Sequence, residues 1–258
     1  MKKYNSYRES GIKWLGEIPE HWKSKKLKFI FNNKNSIRIP LSSEERGQMA
    51  HRIYDYYGAS GVIDKVEDYL FDEELILIGE DGANLITRTK RLAFIASGKY
   101  WVNNHAHILK PINGDIYYLC ELLEMIDYSI WISGSAQPKL TQEALFSINM
   151  FEPPIEEQTQ IANYLDQKTT QIDELIAKKE RLIQLLDEER TAIINQAVTK
   201  GLNPDALMKD SGIEWLGEIP EHWENKRLRY VAKCQNGISE GAEFFGEGNP
   251  FVSYSDVY

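Results

Sequence analysis

A 21-residue segment that occurs twice constrains the fold of this chain more than any other feature. Residues 10–30, SGIKWLGEIPEHWKSKKLKFI, recur as residues 211–231, SGIEWLGEIPEHWENKRLRYV. Fourteen of the 21 positions are identical, and four others exchange Lys for Arg, Phe for Tyr or Ile for Val. The offset of 201 residues is far longer than a solenoid period, so the pattern indicates a duplicated domain. We name residues 10–30 frame 1 and residues 211–231 frame 2.

Beyond the frames the two copies diverge. Residues 32–58 have no visible counterpart in residues 232–258, which are Gly-rich. A shared frame with divergent inserts is typical of two recognition modules for different targets, and drift after an old duplication is the alternative. We interpret the tryptophans of the frames as core anchors: Trp14, Trp22, Trp215 and Trp223.

The segment between the frames carries the clearest secondary-structure signal. Pro153-Pro154 followed by acidic residues is typical of a helix start, and Lys200-Gly201 followed by Pro204 of a helix end. A helix of ~45 residues is roughly 65–70 Å long, and one with a single apolar face predicts a coiled coil with a partner helix. Apolar residues recur every three or four positions along it, at Ile161, Leu165, Ile172, Ile176, Ile183, Leu186, Ile193 and Ala197.

The residues before this helix predict a mixed α+β domain. β-branched and aromatic content between Gly breaks indicates strands, and apolar spacing indicates one longer helix and one short helix capped by Thr141. The strands are expected at 27–31, 75–78, 92–96 and 100–103, and the longer helix at 115–132. The predicted organisation is a first domain over residues 1–154, a spacer helix over 155–200, a linker over 201–210 and an incomplete second domain over 211–258.

The net charge of −9 argues against a polyanionic partner only if it is evenly distributed, and it is not. Residues 1–31 carry a net charge of +5, and residues 82–114 contain no Asp or Glu. Basic side chains in that window are of the type that neutralises phosphates, and Asn103, Asn104 and His105 of the type that reads base edges. The alternative is that Tyr100-Trp101-Val102 is a core strand and the basic groups only keep the surface soluble.

Catalytic motifs are not evident in the sequence. Neither a Gly-x-Gly-x-x-Gly turn nor a phosphate loop is present, and the segment Glu152-Pro153-Pro154-Ile155 has the wrong residues beside its prolines for an amino-methyltransferase loop. His105 and His107 are two ligands without a third, so we expect one buried and one surface histidine rather than a zinc site. The two cysteines and the absence of an apolar signal core or membrane-length run favour a cytoplasmic protein.

These motifs together resemble those of a known family. The frame sequence Ser-Gly-Ile-x-Trp-Leu-Gly-Glu-Ile-Pro-Glu-His-Trp resembles the opening of each target-recognition domain in specificity (S) subunits of type I restriction–modification enzymes. Further landmarks of that family follow in the same order: residues 134–140 (GSAQPKL), residues 153–158 (PPIEEQ) and the long helix running to residues 199–204 (TKGLNP).

The resemblance implies a role in recognition without catalysis. Each target-recognition domain of the family reads about half of a bipartite site in double-stranded DNA, and two antiparallel spacers set the gap between the half-sites. The spacer region docks methylation (M) subunits, which bring S-adenosylmethionine, and a restriction (R) subunit that uses ATP joins the complex. We therefore expect no cofactor of the chain's own. A catalytic DNA modifier and an assembly protein that has lost DNA reading are the alternatives.

Two sets of candidate residues follow. A complete S subunit has two recognition domains, so we interpret this chain as truncated early in its second one and expect two copies to pair through Leu165, Ile172, Ile176, Ile183, Leu186 and Ile193. The residues predicted to bind DNA are Lys25, Lys26, Arg88, Lys90, Arg91, Lys99, Tyr100, Asn103, Asn104, His105, Gln137 and Lys139.

Overall fold

The computed structural model describes residues 4–12, 15–134 and 138–233. The chain divides into two compact units, Met1–Leu175 and Ile176–Tyr258. The division falls inside one long helix, so each unit contains part of that helix.

The first unit contains short helices and many short strands. Its helices are α1 (Ser43–Gln48), α2 (Asn84–Thr87), α3 (Ile116–Met125), α4 (Gln142–Ser147) and the first part of α5 (Ile155–Lys200). Its strands are β1 (Tyr7–Glu9), β2 (Glu17–Pro19), β3 (Lys23–Lys26), β4 (Phe31–Asn33), β5 (Tyr54–Gly58), β6 (Gly61–Val66), β7 (Phe71–Asp72), β8 (Leu75–Gly79), β9 (Ala93–Ala96), β10 (Lys99–Val102), β11 (Ala106–Pro111), β12 (Ile132–Ser133), β13 (Lys139–Leu140) and β14 (Asn149–Glu152). The second unit contains the rest of α5 and the strands β15 (Met208–Asp210) and β16 (Glu218–Pro220).

Two four-stranded sheets form the centre of the first unit. The order of one is β6-β5-β10-β7, with β5 and β10 parallel, and the order of the other is β4-β11-β8-β9, with all pairs antiparallel. Side chains alternate along β8, so Leu75 and Leu77 pack with residues of β10, whereas Ile76 and Ile78 pack with α3 and α4. The mixed sheets and helices confirm the predicted α+β class, and β8 joins the two cores.

The predicted strands are correct where the sequence is continuously apolar. β8, β9 and β10 match the expected segments within about one residue at each end. The strand predicted over 27–31 is wrong, because Leu27–Phe29 forms a 3-10 turn and β4 begins only at Phe31. A 3-10 turn places positions three apart on one side, which lets both Leu27 and Ile30 point into the core, at 0% and 1% exposure.

The helix predicted over 115–132 is shorter than expected. α3 begins after its N-cap, Asp115, whose carboxylate accepts hydrogen bonds from two backbone N–H groups, and it ends at Met125. Side chains from elsewhere satisfy its last carbonyl oxygens: Arg88 donates to Ile126 O at 2.9 Å, and the Tyr128 hydroxyl to Leu123 O at 2.7 Å. The apolar residues beyond the helix therefore lie in a loop.

The same hairpin occurs at both frames, with its first strand just before the frame and its second strand inside it. β1 and β2 pair Tyr7 with Pro19, and β15 and β16 pair the residues 201 positions later, Met208 and Pro220. Both hairpins turn through a glycine in the left-handed region, with φ of 67° at Gly16 and 66° at its counterpart 217. The same hairpin therefore forms in both units, around the turn that the repeated sequence contains.

The tryptophans of the frames are less buried than expected. Trp22 and Trp223 are half-buried, whereas Trp215 is 83% exposed, so the interpretation of Trp215 as a core anchor is wrong. Trp14 lies outside the described residues.

α5 follows the predicted helix closely. It begins directly after Pro153-Pro154 and ends at Lys200, and its 46 residues make it about 69 Å long at 1.5 Å per residue. Gln158 and Ala162, near its start, are buried, and most of its remaining length is exposed. Among the described residues, no helix combines the length and apolar character needed to cross a membrane.

Candidate nucleic-acid interface

Three of the predicted DNA-binding residues meet at the ends of several strands. Asn104 and His105 lie in the turn between β10 and β11, and Lys139 begins β13. Glu80, directly after β8, joins them through its backbone: its N–H donates to His105 O at 2.9 Å, and its carbonyl accepts from Leu140 N at 2.8 Å. The fold thus brings together segments that are distant in sequence.

Charged side chains extend this arrangement. His105 Nδ1 lies 2.9 Å from the Asp81 carboxylate, and Lys139 Nζ lies 3.1 Å from Glu80 Oε1. Arg38 donates to Glu80 Oε2 at 2.5 Å and to Ala106 O at 2.7 Å. We name Arg38, Glu80, Asp81, Asn104, His105 and Lys139 the turn cluster.

Glu80 is the centre of the turn cluster. Its side chain is only 10% exposed and accepts from both Arg38 and Lys139. Burial alone would raise the pKa of Glu80. The hydrogen bond from Arg38 and the neighbouring positive charges lower the pKa by more than burial raises it, so the net pKa is below its usual range. Glu80 is therefore ionised at neutral pH and holds two basic side chains beside the exposed turn.

His107 lies beneath the turn cluster and is fully buried. Its Nε2 lies 2.8 Å from Leu140 O, and its Nδ1 lies 2.9 Å from the side-chain amide of Asn35. Burial lowers the pKa of His107 below its ordinary value of 6.5, so the ring is neutral and donates from Nε2. With His105 exposed, the two histidines match the expected surface and buried pair. Within the described ranges, no three His, Cys, Asp or Glu side chains are grouped to hold a metal ion.

We expect acidification to destabilise the protein through His107. The unfolded chain binds a proton near pH 6.5 and the folded chain does not, so stability falls as the pH drops from about 6.5 towards the lower pKa of the folded state. His107→Gln should reduce the loss of unfolding free energy between about pH 7 and about pH 5.5, measured by urea denaturation. The exposed His51→Gln is the matched control. An equal loss in wild type and His107→Gln would exclude this role.

Two of the residues predicted to bind DNA have buried side chains, and the predictions for these two residues are wrong. Tyr100 is 0% exposed, and its hydroxyl donates to Glu73 O at 3.1 Å inside the core. Asn103 is 5% exposed, and its side chain accepts from His105 N at 2.8 Å, which shapes the turn. Both residues support the turn cluster from below and do not present their side chains to a ligand.

The two arginine side chains in the basic segment 88–91 contact mainly α3. Arg88 donates to the carbonyl oxygens at the end of that helix, and Arg91 forms an ion pair with Glu121 at 2.5 Å. Arg88 also has a left-handed backbone, with φ of 48°, at the end of α2. These contacts explain the two arginines structurally, while Lys90 between them has an exposed side chain.

The remaining predicted contacts are dispersed. Lys25 is ion-paired with Glu152, and Lys26 at the end of β3 is exposed. Lys99 is exposed and lies over the ring of Tyr69 at 4.6 Å. Gln137 lies outside the described residues. The contacts of Lys25 and Lys99 do not connect them to the turn cluster.

Sequence reasoning missed Arg38, Glu80 and Asp81. A usable signal was present for the two acids, because they follow a continuously buried strand and precede Gly82. Polar residues at such a strand end mark a rim where segments converge. No local pattern identifies Arg38, whose partners lie 42 and 68 residues away.

The predicted pairing residues form a second candidate surface, along α5. Leu165 is half-buried. The other five are 51–60% exposed: Ile172, Ile176, Ile183, Leu186 and Ile193. Exposed apolar side chains at three- and four-residue spacing fit a coiled coil.

An α+β domain followed by a long helix with an apolar face defines a class of modular proteins, and comparison with known proteins identifies the family. The chain matches the type I restriction modification DNA specificity domain over residues 19–185. It belongs to that family.

Relatives in archaea and bacteria are similar over much of the chain. The MjaVIII specificity subunit of a type I restriction enzyme from Methanocaldococcus jannaschii is 26% identical, covering 90% of this chain and 54% of its own length. The EcoprrI specificity subunit from Escherichia coli is 28% identical, covering 66% of this chain and 41% of its own length. The chain thus spans about half the length of these relatives.

A solved structure shares the fold. A chain from a study of the assembly and conformational transition of a type I R-M system superposes with a TM-score of 0.57 at 16% identity. The match covers 76% of this chain and 49% of that one.

Proposed function

We propose that this chain recognises a specific sequence in double-stranded DNA as a specificity subunit of a type I restriction–modification complex. Family membership supports the proposal, and the observation that carries it is the turn cluster. There, exposed hydrogen-bonding side chains, Asn104 and His105, stand beside Lys139 on a turn that buried contacts hold in place. Rigidly placed amide and basic groups are the type that read base edges.

The long helix supports a role in assembly. We infer that two copies pair through the apolar stripe of α5, so that each copy reads one half-site and the helices set the gap between the half-sites. A symmetric pair recognises a palindromic site. M subunits dock on the spacer region in this proposal, and the R subunit joins through the complex.

Chemistry belongs to the partner subunits in this proposal. The chain carries no reaction of its own and acts in the cytoplasm, while S-adenosylmethionine and ATP are bound by the M and R subunits. Incubation of the isolated chain with DNA and labelled S-adenosylmethionine tests this: we expect no transfer until M subunit is added.

Asn104→Ala should reduce sequence discrimination. The Asn104 side chain is exposed, and a bidentate contact from Asn to adenine is worth about 1–3 kcal/mol, so affinity for a preferred duplex should fall about 5- to 150-fold. The preferred duplex is selected from a random-sequence pool, and binding is measured by fluorescence anisotropy at fixed salt.

A scrambled duplex and a second variant serve as controls for Asn104→Ala. Affinity for the scrambled duplex should not change, and Asn163→Ala, an exposed amide on α5, should leave both affinities unchanged. Failure of the wild-type chain to enrich any sequence, with or without M subunit, would favour the assembly protein that does not read DNA.

A further inference from the structure

Frame 1 holds the start of α5 through one carboxylate. Glu157, in the first turn of the helix, accepts from the Tyr4 hydroxyl at 3.0 Å and the Trp22 indole N–H at 3.1 Å, and lies 2.6 Å from His21 Nε2. Burial alone would raise the pKa of Glu157. These three partners together lower the pKa by more than burial raises it, so the net pKa is below its usual range. The carboxylate is therefore a charged anchor for the frame.

Frame 1 also adds a strand to the segment just before α5. β3 pairs with β14 in antiparallel register, with Lys26 opposite Asn149 and Lys23 opposite Glu152. Lys25 forms an ion pair with Glu152 across this junction. The segment 149–157 is thus the part of the docking surface that pairs with the polar side of frame 1.

The apolar end of frame 1 is buried against neighbouring elements. Leu27 and Ile30 belong to the core that contains residues of α4 and β14, and Leu27 N donates to Ile148 O at 2.9 Å. Burying side chains of this size is worth roughly 1.5–3 kcal/mol each. Frame 1 is therefore a folded structure only together with its docking surface.

Frame 2 presents the same groups without burying them. Leu228 and Val231, the counterparts of Leu27 and Ile30, are 68% and 66% exposed. No described residue forms a strand with 224–227, the counterpart of β3. The hairpin of frame 2 is formed, while none of the described residues buries its apolar end.

We propose that frame 2 of one copy docks on the segment 149–157 of a second copy, in place of that copy's frame 1. His222 and Trp223 would then engage Glu157, and Lys226 would engage Glu152, as their counterparts do in frame 1. The inference goes beyond DNA recognition and does not depend on it or on pairing through the α5 stripe.

The occupant is a second copy because of the order of elements along the chain. The segment 149–157 leads into the N-terminal end of α5, and frame 2 follows its C-terminal end, about 69 Å of helix later. Frame 1 is connected to its own docking surface through the first domain, so its effective concentration there is high.

Two differences weaken frame 2 relative to frame 1: Glu224 stands at the position of Lys23, opposite Glu152, and a second difference lies just before the frame. Asp205 stands at the position of Tyr4, so a carboxylate replaces a hydroxyl donor beside Glu157. Frame 1 therefore occupies the surface in an undisturbed copy, and frame 2 replaces it when frame 1 is weakened.

A disulfide designed from the register tests the exchange. The register places Arg227, the counterpart of Lys26, opposite Asn149 of the second copy, within the distance that a disulfide requires. One full-length copy carries Asn149→Cys and the other Arg227→Cys, both with Cys234→Ser, while the buried Cys120 is retained. The Asn149→Cys copy also carries Tyr4→Phe and Trp22→Phe, which remove two donors to Glu157 and keep the rings.

We expect a disulfide-linked dimer at twice the 29.8 kDa chain mass on non-reducing gels. Its yield should be about tenfold or more above that with an intact frame 1, because two hydrogen bonds of about 1 kcal/mol each no longer hold the competitor. Glu224→Cys in place of Arg227→Cys, which the register puts opposite Glu152, should give little dimer. A single chain that carries both Asn149→Cys and Lys26→Cys should form an internal disulfide. This control shows that the strand geometry permits a disulfide at these two positions.

Further variants keep the test decisive if the doubly substituted frame 1 unfolds. Tyr4→Phe alone should raise the yield to a smaller extent, and Leu228→Asp in the donor copy should abolish it without altering the acceptor. Equal yields from Arg227→Cys and Glu224→Cys would indicate random collision and overturn the proposal. Absence of dimer with a folded, weakened acceptor would overturn it too.

Discussion

Replacing Ile176 and Ile183 with Glu should convert the protein from a pair of chains to a single chain of 29.8 kDa. Both side chains are at least half exposed on α5 and lie seven residues apart, on the same face. Pairing would bury four isoleucines in the dimer at roughly 1.5 kcal/mol or more each, so their loss should raise the dissociation constant at least about a thousandfold. Light scattering at micromolar concentration measures the mass.

A matched variant separates loss of the apolar face from added charge. Thr170→Glu with Asn195→Glu also adds two acids to each chain, but on the exposed polar side of α5, and should leave the mass unchanged. Helix content should be the same in both variants by circular dichroism, because Glu is a good helix former. A wild-type chain that already scatters as a monomer at this concentration would contradict pairing through the stripe.

The features predicted correctly from the sequence are those in which one segment determines its own structure. α5 matches its prediction because proline, acidic residues and an apolar period of three to four all lie within the helix. β8 matches because four consecutive apolar residues suit a strand covered on both faces.

The site was harder to predict because its geometry depends on partners distant in sequence. Arg88 suggested a phosphate contact, but its guanidinium binds the end of α3, 36 to 38 residues away. Tyr100 lies beside a basic residue in sequence, yet alternation along β10 turns its ring into the core. Positive charge in a sequence window therefore does not separate a ligand site from a structural ion pair.

Glu80→Ala should destabilise the protein by about 3–5 kcal/mol, because it leaves buried positive charge without its partner. Arg38 is 15% exposed at its side chain and donates to Glu80 at 2.5 Å, so it cannot recover full hydration when the carboxylate is removed. The unfolding free energy is measured in urea at about pH 7, where Glu80 is ionised in the wild type. Glu73→Ala is the matched control, because its ion pair with Lys110 is about one-third to one-half exposed and should contribute at most about 1 kcal/mol.

The cause of this loss can be separated from simple side-chain truncation. If the unpaired Arg38 guanidinium is responsible, Arg38→Ala in the Glu80→Ala background should cost much less than Arg38→Ala alone, and the two losses should differ from additivity by about 1 kcal/mol or more. The same pair of variants reports on recognition, since the Glu80 side chain also lies 3.1 Å from Lys139 Nζ. Additive losses would mean that Glu80 and Arg38 act independently, and the turn cluster would then be a set of neighbouring residues rather than one connected support for the exposed turn.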